Sequence, residues 1–585
     1  MRLEFGGRMA GVIALGAWIV SMAGAQNPGQ QPGPLRLPAP PVAGDRTLVP
    51  PVRPFRLPPR IGVFGEAQLS LAQALSMALS NNKDIESSRI DREEVDYTLL
   101  GAQGVYDPTV SGSSYWQKQV QPIASSLGGS ATGSVLNKTW NGDPTLAGSV
   151  PWLGGSYRAD YSNQRVYTNN TFVTLNPQYP TAVNLQYTQP LLRNLRYDSN
   201  RHAIDVAKKN RFLTDEQFRQ RVMQIVQQTE QAYWELVYAY NNLQVQLEAV
   251  EIAQQQDASN RRQQEQGILA PIDVVAAQTQ LANFELGAYS SQTALTRAEN
   301  NLKTLVLADR SSAMWASAVI PTTPPSTEVP VTPLTDALRD ALTSRPEAAQ
   351  NRIAGQIAKD DTRYYRDQTK PQVDLIAQYS RAGLAGAQIP TGPNPFLLAF
   401  APLFERVNDL SATAGLGPLA AASFGSGTTP QLLIGSYGQS VSNIWNGAFP
   451  TTEFQLRISL PIRNRAAEAN LSRAVAEERR NKNQREQVQQ TIEADVRNSM
   501  QGLQSAQASL EAARVARESA EQQYQSEQRQ FQAGTSTLFL VQQRQSTMIT
   551  ARSQERRAQS DLSEAIASFE LATASILKAH NISLQ

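Results

Sequence analysis

Residues 71–79 read Leu-Ala-Gln-Ala-Leu-Ser-Met-Ala-Leu, and residues 334–342 read Leu-Thr-Asp-Ala-Leu-Arg-Asp-Ala-Leu. The apolar positions of the two stretches coincide without a gap. The match also stays in phase, because Pro108 follows the first stretch at the distance at which Pro371 follows the second. A repeat this long contains helices and strands of its own, so it predicts a duplicated half-protein rather than a solenoid.

Two further pairs of residues extend the repeat along the chain. Pro190 and Arg193 precede one long polar run, and Pro461 and Arg463 precede another. Each pair follows a short segment of alternating apolar and polar residues, which is typical of a strand with one buried face. We therefore expect a turn from a strand into a long helix at both places.

The N-terminal 25 residues have the three regions of a secretory signal: basic residues, an apolar run over residues 9–22, and small residues up to Ala25. A membrane anchor is the alternative, but ~14 apolar residues are fewer than the ~20 that span a bilayer. The Pro- and Gly-rich segment that follows predicts an extended leader that only spaces the folded body from the cleavage site. The predicted organisation is signal peptide 1–25, leader 26–60, first repeat 61–320 and second repeat 321–585, each repeat with a helix, two strands and a long helical hairpin.

Composition excludes several classes of function. The 585 residues carry a net charge of +2, and only 18% of them are charged, so a basic nucleic-acid surface is not indicated. Cysteine is absent, which excludes disulfides and thiolate metal sites. The two histidines, His202 and His580, have no partners at ligand or catalytic-triad spacing. We therefore predict no catalytic, cofactor or metal site and no enzymatic activity.

The helical runs are too long for an ordinary globular domain. Residues 200–266 contain neither proline nor glycine and extend on the order of 100 Å as a helix. Apolar residues recur along this run in two interleaved seven-residue series, which is the spacing of a coiled-coil seam. The polar faces are rich in Gln, Asn and Ser, which fits either a solvated surface or the lining of a water-filled pore. The two series are Val226, Tyr233, Tyr240 and Leu247, and Thr229, Leu236, Leu243 and Val250.

A glycine ends each long run and predicts the tip of a helical hairpin. Gly267 and Gly534 can adopt the left-handed conformation that terminates a helix. Pro271 is suited to the first turn of the return helix after Gly267. After Gly534, Thr535 or Ser536 is expected to cap the return helix.

Alternating segments predict four strands per chain, two in each repeat. They lie near residues 110–116, 183–188, 373–379 and 454–460. A half-buried sheet on a soluble core is one possibility. If the strands instead span a membrane, they must form a closed barrel, and four strands leave two open edges that only other copies of the chain can close. We expect the Gly-, Pro-, Ala- and Ser-rich intervening segments, residues 117–180 and 382–451, to be extracellular loops or loop hairpins.

The ordered pairs of openings, turns and tips resemble the outer-membrane efflux proteins of the TolC type over residues 68–577. The resemblance implies an α+β membrane protein: a homotrimer with a 12-stranded β-barrel, four strands per chain, continued by a long α-helical coiled-coil barrel. It implies a location in the bacterial outer membrane, with the helices in the periplasm. The implied partners are a periplasmic adaptor (membrane fusion) protein and an inner-membrane pump or ABC transporter, besides the lipid bilayer.

The implied function is an exit duct of a tripartite efflux or type I secretion system. In the family the hairpin tips contact the adaptor and form the gate. Asp273 matches the family's acidic position, whereas Leu540 stands where the second tip often has an aspartate. A structural coiled-coil protein of the envelope without a channel is the alternative. The candidate tip residues are Gly267, Ile268, Asp273, Gly534, Thr535 and Leu540, and the strand-to-helix turns contain Pro190, Arg193, Pro461 and Arg463.

Overall fold

The fold is described by a computed structural model of the chain. It describes residues 54–584 except 124–132, 171–172, 327, 391–394 and 420–428, and within residues 395–399 it describes the backbone only. The predicted signal peptide, residues 1–25, and most of the predicted leader lie outside the described residues.

A short strand, two helices, sheet strands and a long helical hairpin occur in the same order twice, which confirms the internal duplication, although the first repeat has four sheet strands and the second has two with helices between them. The first series is β1 (Gly65–Leu69), α1 (Leu71–Asn81), α2 (Lys83–Gln103), β2 (Thr109–Pro122), β3 (Ser134–Ser149), β4 (Ser156–Thr168), β5 (Leu175–Pro190), α3 (Ser199–Glu265) and α4 (Pro271–Val306). The second is β6 (Ser317–Pro321), α5 (Leu334–Ser344), α6 (Pro346–Gln368), β7 (Gln372–Gln388), α7 (Pro395–Thr413), α8 (Tyr437–Trp445), β8 (Phe449–Ser459), α9 (Arg465–Gln532), α10 (Leu538–Ala572) and α11 (Ile576–Ala579).

Local sequence explains where the first helices begin. Ser70 and Gln73 form a capping box at the start of α1, in which each side chain accepts a hydrogen bond from the backbone N–H of the other residue. The Asn82 side chain then caps α2 by accepting from the N–H groups of Asp84 and Ile85. Helices α1 and α2 therefore meet at one sharp corner.

Two antiparallel helical hairpins, α3 with α4 and α9 with α10, form the long part of the fold. Helix α3 has 67 residues and α9 has 68, so each extends about 100 Å. The predicted seven-residue series line their contacts: Val226, Thr229, Tyr233, Leu236, Leu243 and Val250 are buried in α3, and Val496, Leu503 and Tyr524 are buried in α9. In the described part of the chain, no helix is both long enough and apolar enough to cross a membrane.

The two repeats are tied together beside the middle of α3. Strand β1 pairs in parallel with β6, which opens the second repeat. Tyr233 is fully buried there, and its hydroxyl donates to Leu69 O (3.1 Å) and accepts from Thr323 N (3.0 Å). A buried hydroxyl is stable only when it is hydrogen-bonded. Tyr233 therefore fixes the position along α3 at which the start of each repeat packs.

The last residues of the predicted leader pack against α4. The Phe55 ring contacts that of Tyr289, with 5.5 Å between centroids, and Gln292 Nε2 donates to Pro58 O at 2.8 Å. Arg60 forms an ion pair with the buried Glu299. The prediction that the leader only acts as a spacer is therefore wrong for residues 54–60, because their aromatic and cationic side chains find partners on α4.

One six-stranded antiparallel sheet continues beyond the helices, in the order β2-β3-β4-β5-β7-β8. The prediction of four strands per chain is therefore wrong, and the twelve-stranded total that rests on it no longer follows. Strands β3 and β4 lie within residues 117–180, a segment predicted as loop because Gly, Ser and Asn mask its alternation. Likewise, residues 382–451 contain the end of β7 and the helices α7 and α8.

Candidate functional site

Near the helical end of the sheet, one face is polar and the other is apolar across the six strands. Cross-strand neighbours share a face. One row of paired residues is entirely polar, and the next row is apolar except at its last position. The polar row is Ser111, Thr145, Asp160, Asn184, Ser380 and Thr451, and the apolar row is Val110, Leu146, Ala159, Leu185, Tyr379 and Thr452.

Aromatic and aliphatic side chains continue the apolar face toward the helices. Tyr157, Tyr187, Ala377 and Phe454 form a second apolar row across β4, β5, β7 and β8. Phe454 is 75% exposed in the single chain. On the polar face, by contrast, Asn184 Nδ2 donates to Asp160 Oδ2 at 2.7 Å. Such a sheet is suited to contact lipid on one side and water on the other.

Helix α8 lies on the apolar face, across the ends of β5 and β7 that are remote from the long helices. Ser440 Oγ donates to Tyr179 O (2.6 Å), and the hydroxyls of Tyr161 and Tyr437 are 2.6 Å apart. A side chain at Gly383 would place its Cβ 2.1 Å from Ser440 O, so glycine permits this close approach. Trp445, at the end of α8, remains 79% exposed.

The first strand-to-helix turn is tightly packed. Pro190 pairs with Asp374 at the end of β5, and the Arg193 guanidinium donates to Gln372. Asn194 has a φ of +66° and its N–H donates to Asp367 Oδ2 at 2.6 Å. These contacts join the base of the sheet to the junction between α6 and β7. The predicted turn residues Pro190 and Arg193 are thus brought together.

The second strand-to-helix turn lacks such packing. Pro461 and Arg463 are not buried, and Ile462 between them is 99% exposed. The difference arises because the preceding strand, β8, is an edge strand with no neighbour on its far side. Strand β2 is the other edge, and all its residues are exposed. Both edges of the sheet therefore present unpaired backbone groups.

The first hairpin tip has the predicted turn. Gly267 has a φ of +75°, and its N–H donates to Gln264 O at 2.9 Å. The N–H of Ile268 donates to Gln263 O, so two carbonyls at the end of α3 are satisfied. Pro271 is the first residue of α4, as predicted.

The second tip has the same turn but a different cap. Gly534 has a φ of +74°, and the N–H of Thr535 donates to Gln530 O at 2.9 Å. The cap of α10 is Thr537, whose hydroxyl accepts from Leu540 N. The prediction of Thr535 or Ser536 as cap is wrong, because both hydroxyls instead donate back to α9 residues.

Asp273 and Leu540 occupy equivalent positions, each three residues after the cap of its return helix. The negative charge of Asp273 is favourable near a helix N-terminus, and Leu540 has no such interaction. Apolar side chains that the sequence reasoning did not select also project from the tips: Ile272 is 69% exposed and Phe539 is 70% exposed, like Ile268 at 70%. The sequence could have identified these residues, because large apolar side chains beside an exposed turn cannot be buried within the hairpin.

A buried ionisable cluster attaches the C-terminal segment to the long helices. His580 Nε2 pairs with Glu230 of α3 and lies 3.9 Å from Glu570 of α10. The hydrogen bond to Glu230 raises the pKa of His580, and burial raises the pKa of Glu570 to about 7. The three groups lie close enough to surround a cation, which the spacing of His580 in the sequence did not suggest. The ion pair between His580 and Glu230 explains this geometry without a bound cation.

Comparison with known proteins gives a family match. The family model for outer membrane efflux proteins matches residues 145–306 and 426–575, which together make up more than half of the chain. No curated protein matches the chain.

Several solved structures share the fold at low sequence identity. The Campylobacter jejuni CmeC outer membrane channel is 13% identical, with a TM-score of 0.58, 92% of this chain covered and 99% of that one. The Vibrio cholerae outer membrane protein VceC is 14% identical, with a TM-score of 0.55 and coverages of 86% and 95%. The open state of the Neisseria gonorrhoeae MtrE channel is 14% identical, with a TM-score of 0.54 and coverages of 87% and 89%.

The tip geometry predicts that Gly534→Ala destabilises the second tip. A Cβ at Gly534 meets no neighbouring atom, so the cost comes only from the positive φ, about 1 kcal/mol. We expect amide hydrogen exchange of residues 535–540 to accelerate about fivefold. The control is Gly502→Ala inside α9, which should leave exchange at the tip unchanged. Equal exchange in both variants would show that the positive φ is not required.

The buried cluster predicts that the C-terminal segment is held more tightly at low pH. The pKa values of Glu570 and His580 are both raised, so the folded state binds more protons than the unfolded state. The stabilisation is complete below the ordinary pKa of each group and is lost as pH rises through about 7 and then through the raised pKa of His580. Limited proteolysis at residues 576–584 should be slower at pH 6 than at pH 8. Glu570→Gln should remove the part of this dependence that falls near pH 7, and a profile unchanged by that substitution would contradict the assignment.

Proposed function

The chain belongs to the outer membrane efflux protein family, and from that premise we propose that three copies form one passive duct for substrates leaving the periplasm. The observation that carries the proposal is the two-faced sheet, whose strands continue into helices about 100 Å long. The apolar face fits the lipid of the outer membrane, and the polar face fits a water-filled lumen. The helices then fit a tunnel in the periplasm.

The free edges of the sheet support assembly. In hydrocarbon each unpaired backbone group costs several kcal/mol, so β2 and β8 need partners. Strand β2 of one copy and β8 of the next are antiparallel neighbours if the strand order continues around a ring. A closed ring of copies satisfies every edge with one kind of contact.

The helices give an independent argument for neighbouring copies. Helix α6 packs against both α9 and α3; Arg345 pairs with Asp495 of α9, and Lys209 of α3 pairs with Asp360. Its counterpart in the first repeat, α2, packs against α3 but has no second long helix within the described part of the chain. The outer side of α2 exposes Ile90, Tyr97 and Leu100 in helical spacing. By the symmetry of the repeat, the missing partner is α9 of another copy.

The tips provide the contact with the rest of the export machinery in this proposal. Exposed apolar side chains at both tips, including Ile268, Ile272 and Phe539, fit a docking surface for a periplasmic adaptor protein. The adaptor would connect the duct to an inner-membrane pump or ABC transporter, which supplies the energy. Gly267 and Gly534 hold the two tips in the same turn, and Asp273 and Leu540 distinguish them. A purely structural coiled-coil role leaves the two-faced sheet without a purpose.

Exchanging one residue on each face of β8 tests the duct. Leu456→Arg places a charge on the apolar face and should cost up to about 2–4 kcal/mol per chain, the amount increasing with its depth in the membrane. We expect this variant to lose trimers in native mass spectrometry and channels in planar bilayers. The matched control is the neighbouring Gln455→Arg, on the polar face, which should still assemble. Equal assembly of the two variants would overturn the assignment of the faces.

Photo-crosslinking in cells tests the tip contact. A photoreactive residue at Phe539 should capture the adaptor, because this side chain projects from the second tip. The control position is Val515 of α9, which is also apolar and is 54% exposed but lies far from the tip. Capture at both positions, or at neither, would contradict docking at the tips.

A further inference from the structure

The hairpin of β3 and β4 is an integral part of the sheet. It lies between β2 and β5, and β3 pairs with β2 along the whole length of β2, from Thr109 with Ala147 to Pro122 with Ser134. Strand β3 has 16 residues and β4 has 13, which exceed the about 9–11 that cross a membrane as a tilted strand. The hairpin is therefore long enough to span the bilayer beside β5.

In the rows near the helical end, both faces of the hairpin match the faces of the sheet around it. Thr145 and Asp160 belong to the polar row, in line with Asn184 of β5. Leu146 and Ala159 belong to the apolar row, in line with Leu185. A hairpin folded over the mouth of a pore would have no reason to keep a lipid-compatible face in this register.

The turn of the hairpin is fixed at the helical end of the sheet. Gln189 Nε2 donates to Leu153 O at 2.7 Å, which joins the turn to the end of β5. Gly154 has a φ of +66°, and a Cβ there would lie 2.4 Å from Asn194 O in the first strand-to-helix turn. The hairpin thus begins at the same level as β5 and runs outward with it.

We propose that β3 and β4 are wall strands, so that three copies close a barrel of about eighteen strands rather than twelve. This inference rests on the proposed trimeric duct. Because barrel diameter grows roughly linearly with strand number, the outlet is about half as wide again as a twelve-stranded one. Barrels of about 16–18 strands enclose an open aqueous channel, so the outlet does not sieve solutes that the helical part admits. The hairpin makes the outlet suitable for bulky polar cargo.

Single-cysteine labelling tests the proposal, since the chain has no cysteine of its own. A hydrophilic, membrane-impermeant maleimide is applied to outer membranes that contain Thr145→Cys or Leu146→Cys on β3. Asn184→Cys and Leu185→Cys on β5 serve as the reference pair in the same two rows. We expect Thr145→Cys to react as fast as Asn184→Cys, and Leu146→Cys to react about tenfold more slowly, like Leu185→Cys.

The outcomes separate this inference from the proposed duct. If the reference pair alternates but both β3 cysteines react equally fast, the hairpin lies outside the wall, and the duct stands without it. If the reference pair itself does not alternate, the barrel fails and the inference fails with it. End-on electron micrographs of the unmodified trimer give a second measurement: a β-ring no wider than that of a twelve-stranded barrel would overturn the proposal even if a variant misfolds.

Discussion

The unpaired backbone of two strand edges is the constraint on which the architecture depends. Strands β2 and β8 end the sheet on its two sides, and an amphipathic sheet cannot leave those edges open inside a membrane. One chain therefore cannot complete the structure that its own strands begin. The exposure of the second strand-to-helix turn, between Pro461 and Arg463, follows from the same fact, and in the proposed trimer another copy covers it.

The duplication leaves an unfilled helix contact as well as open strand edges. Helix α6 bridges α9 and α3 inside the chain, while α2 has only α3 among the long helices described. Helix α6 thus fills the space between two long helices of one chain, and in the proposed ring α2 does the same between α3 and a long helix of another copy. The buried hydroxyl of Tyr233 aligns the two repeats at one height on α3, so that the hairpins and the strands remain level around a ring.

Sequence periodicity was sufficient for the long helices and for the positions of both tips. The spacing of Val226, Tyr233 and Leu236 reports burial directly, and a glycine after a long uninterrupted run is typical of a helix end. Periodicity was not sufficient for β3 and β4, where small and polar residues occupy both faces and only Leu146 and a few aromatic residues mark the apolar side. Nor could it identify the cap at Thr537, because three successive hydroxyl residues compete and the choice depends on which oxygen atoms of α9 accept hydrogen bonds from the other two.

If the barrel end of the proposed duct is wide, solutes are selected at the opposite end, at the hairpin tips. If three copies form a ring, the tips of the two repeats alternate around it, and the acidic Asp273 alternates with the apolar Leu540. Such a ring carries half the negative charge of one with an aspartate in both positions, and mutual repulsion between its carboxylates is weaker because they are farther apart. In such a ring Leu540 would offer apolar contact between neighbouring tips, and opening would have to separate apolar surfaces as well as charges.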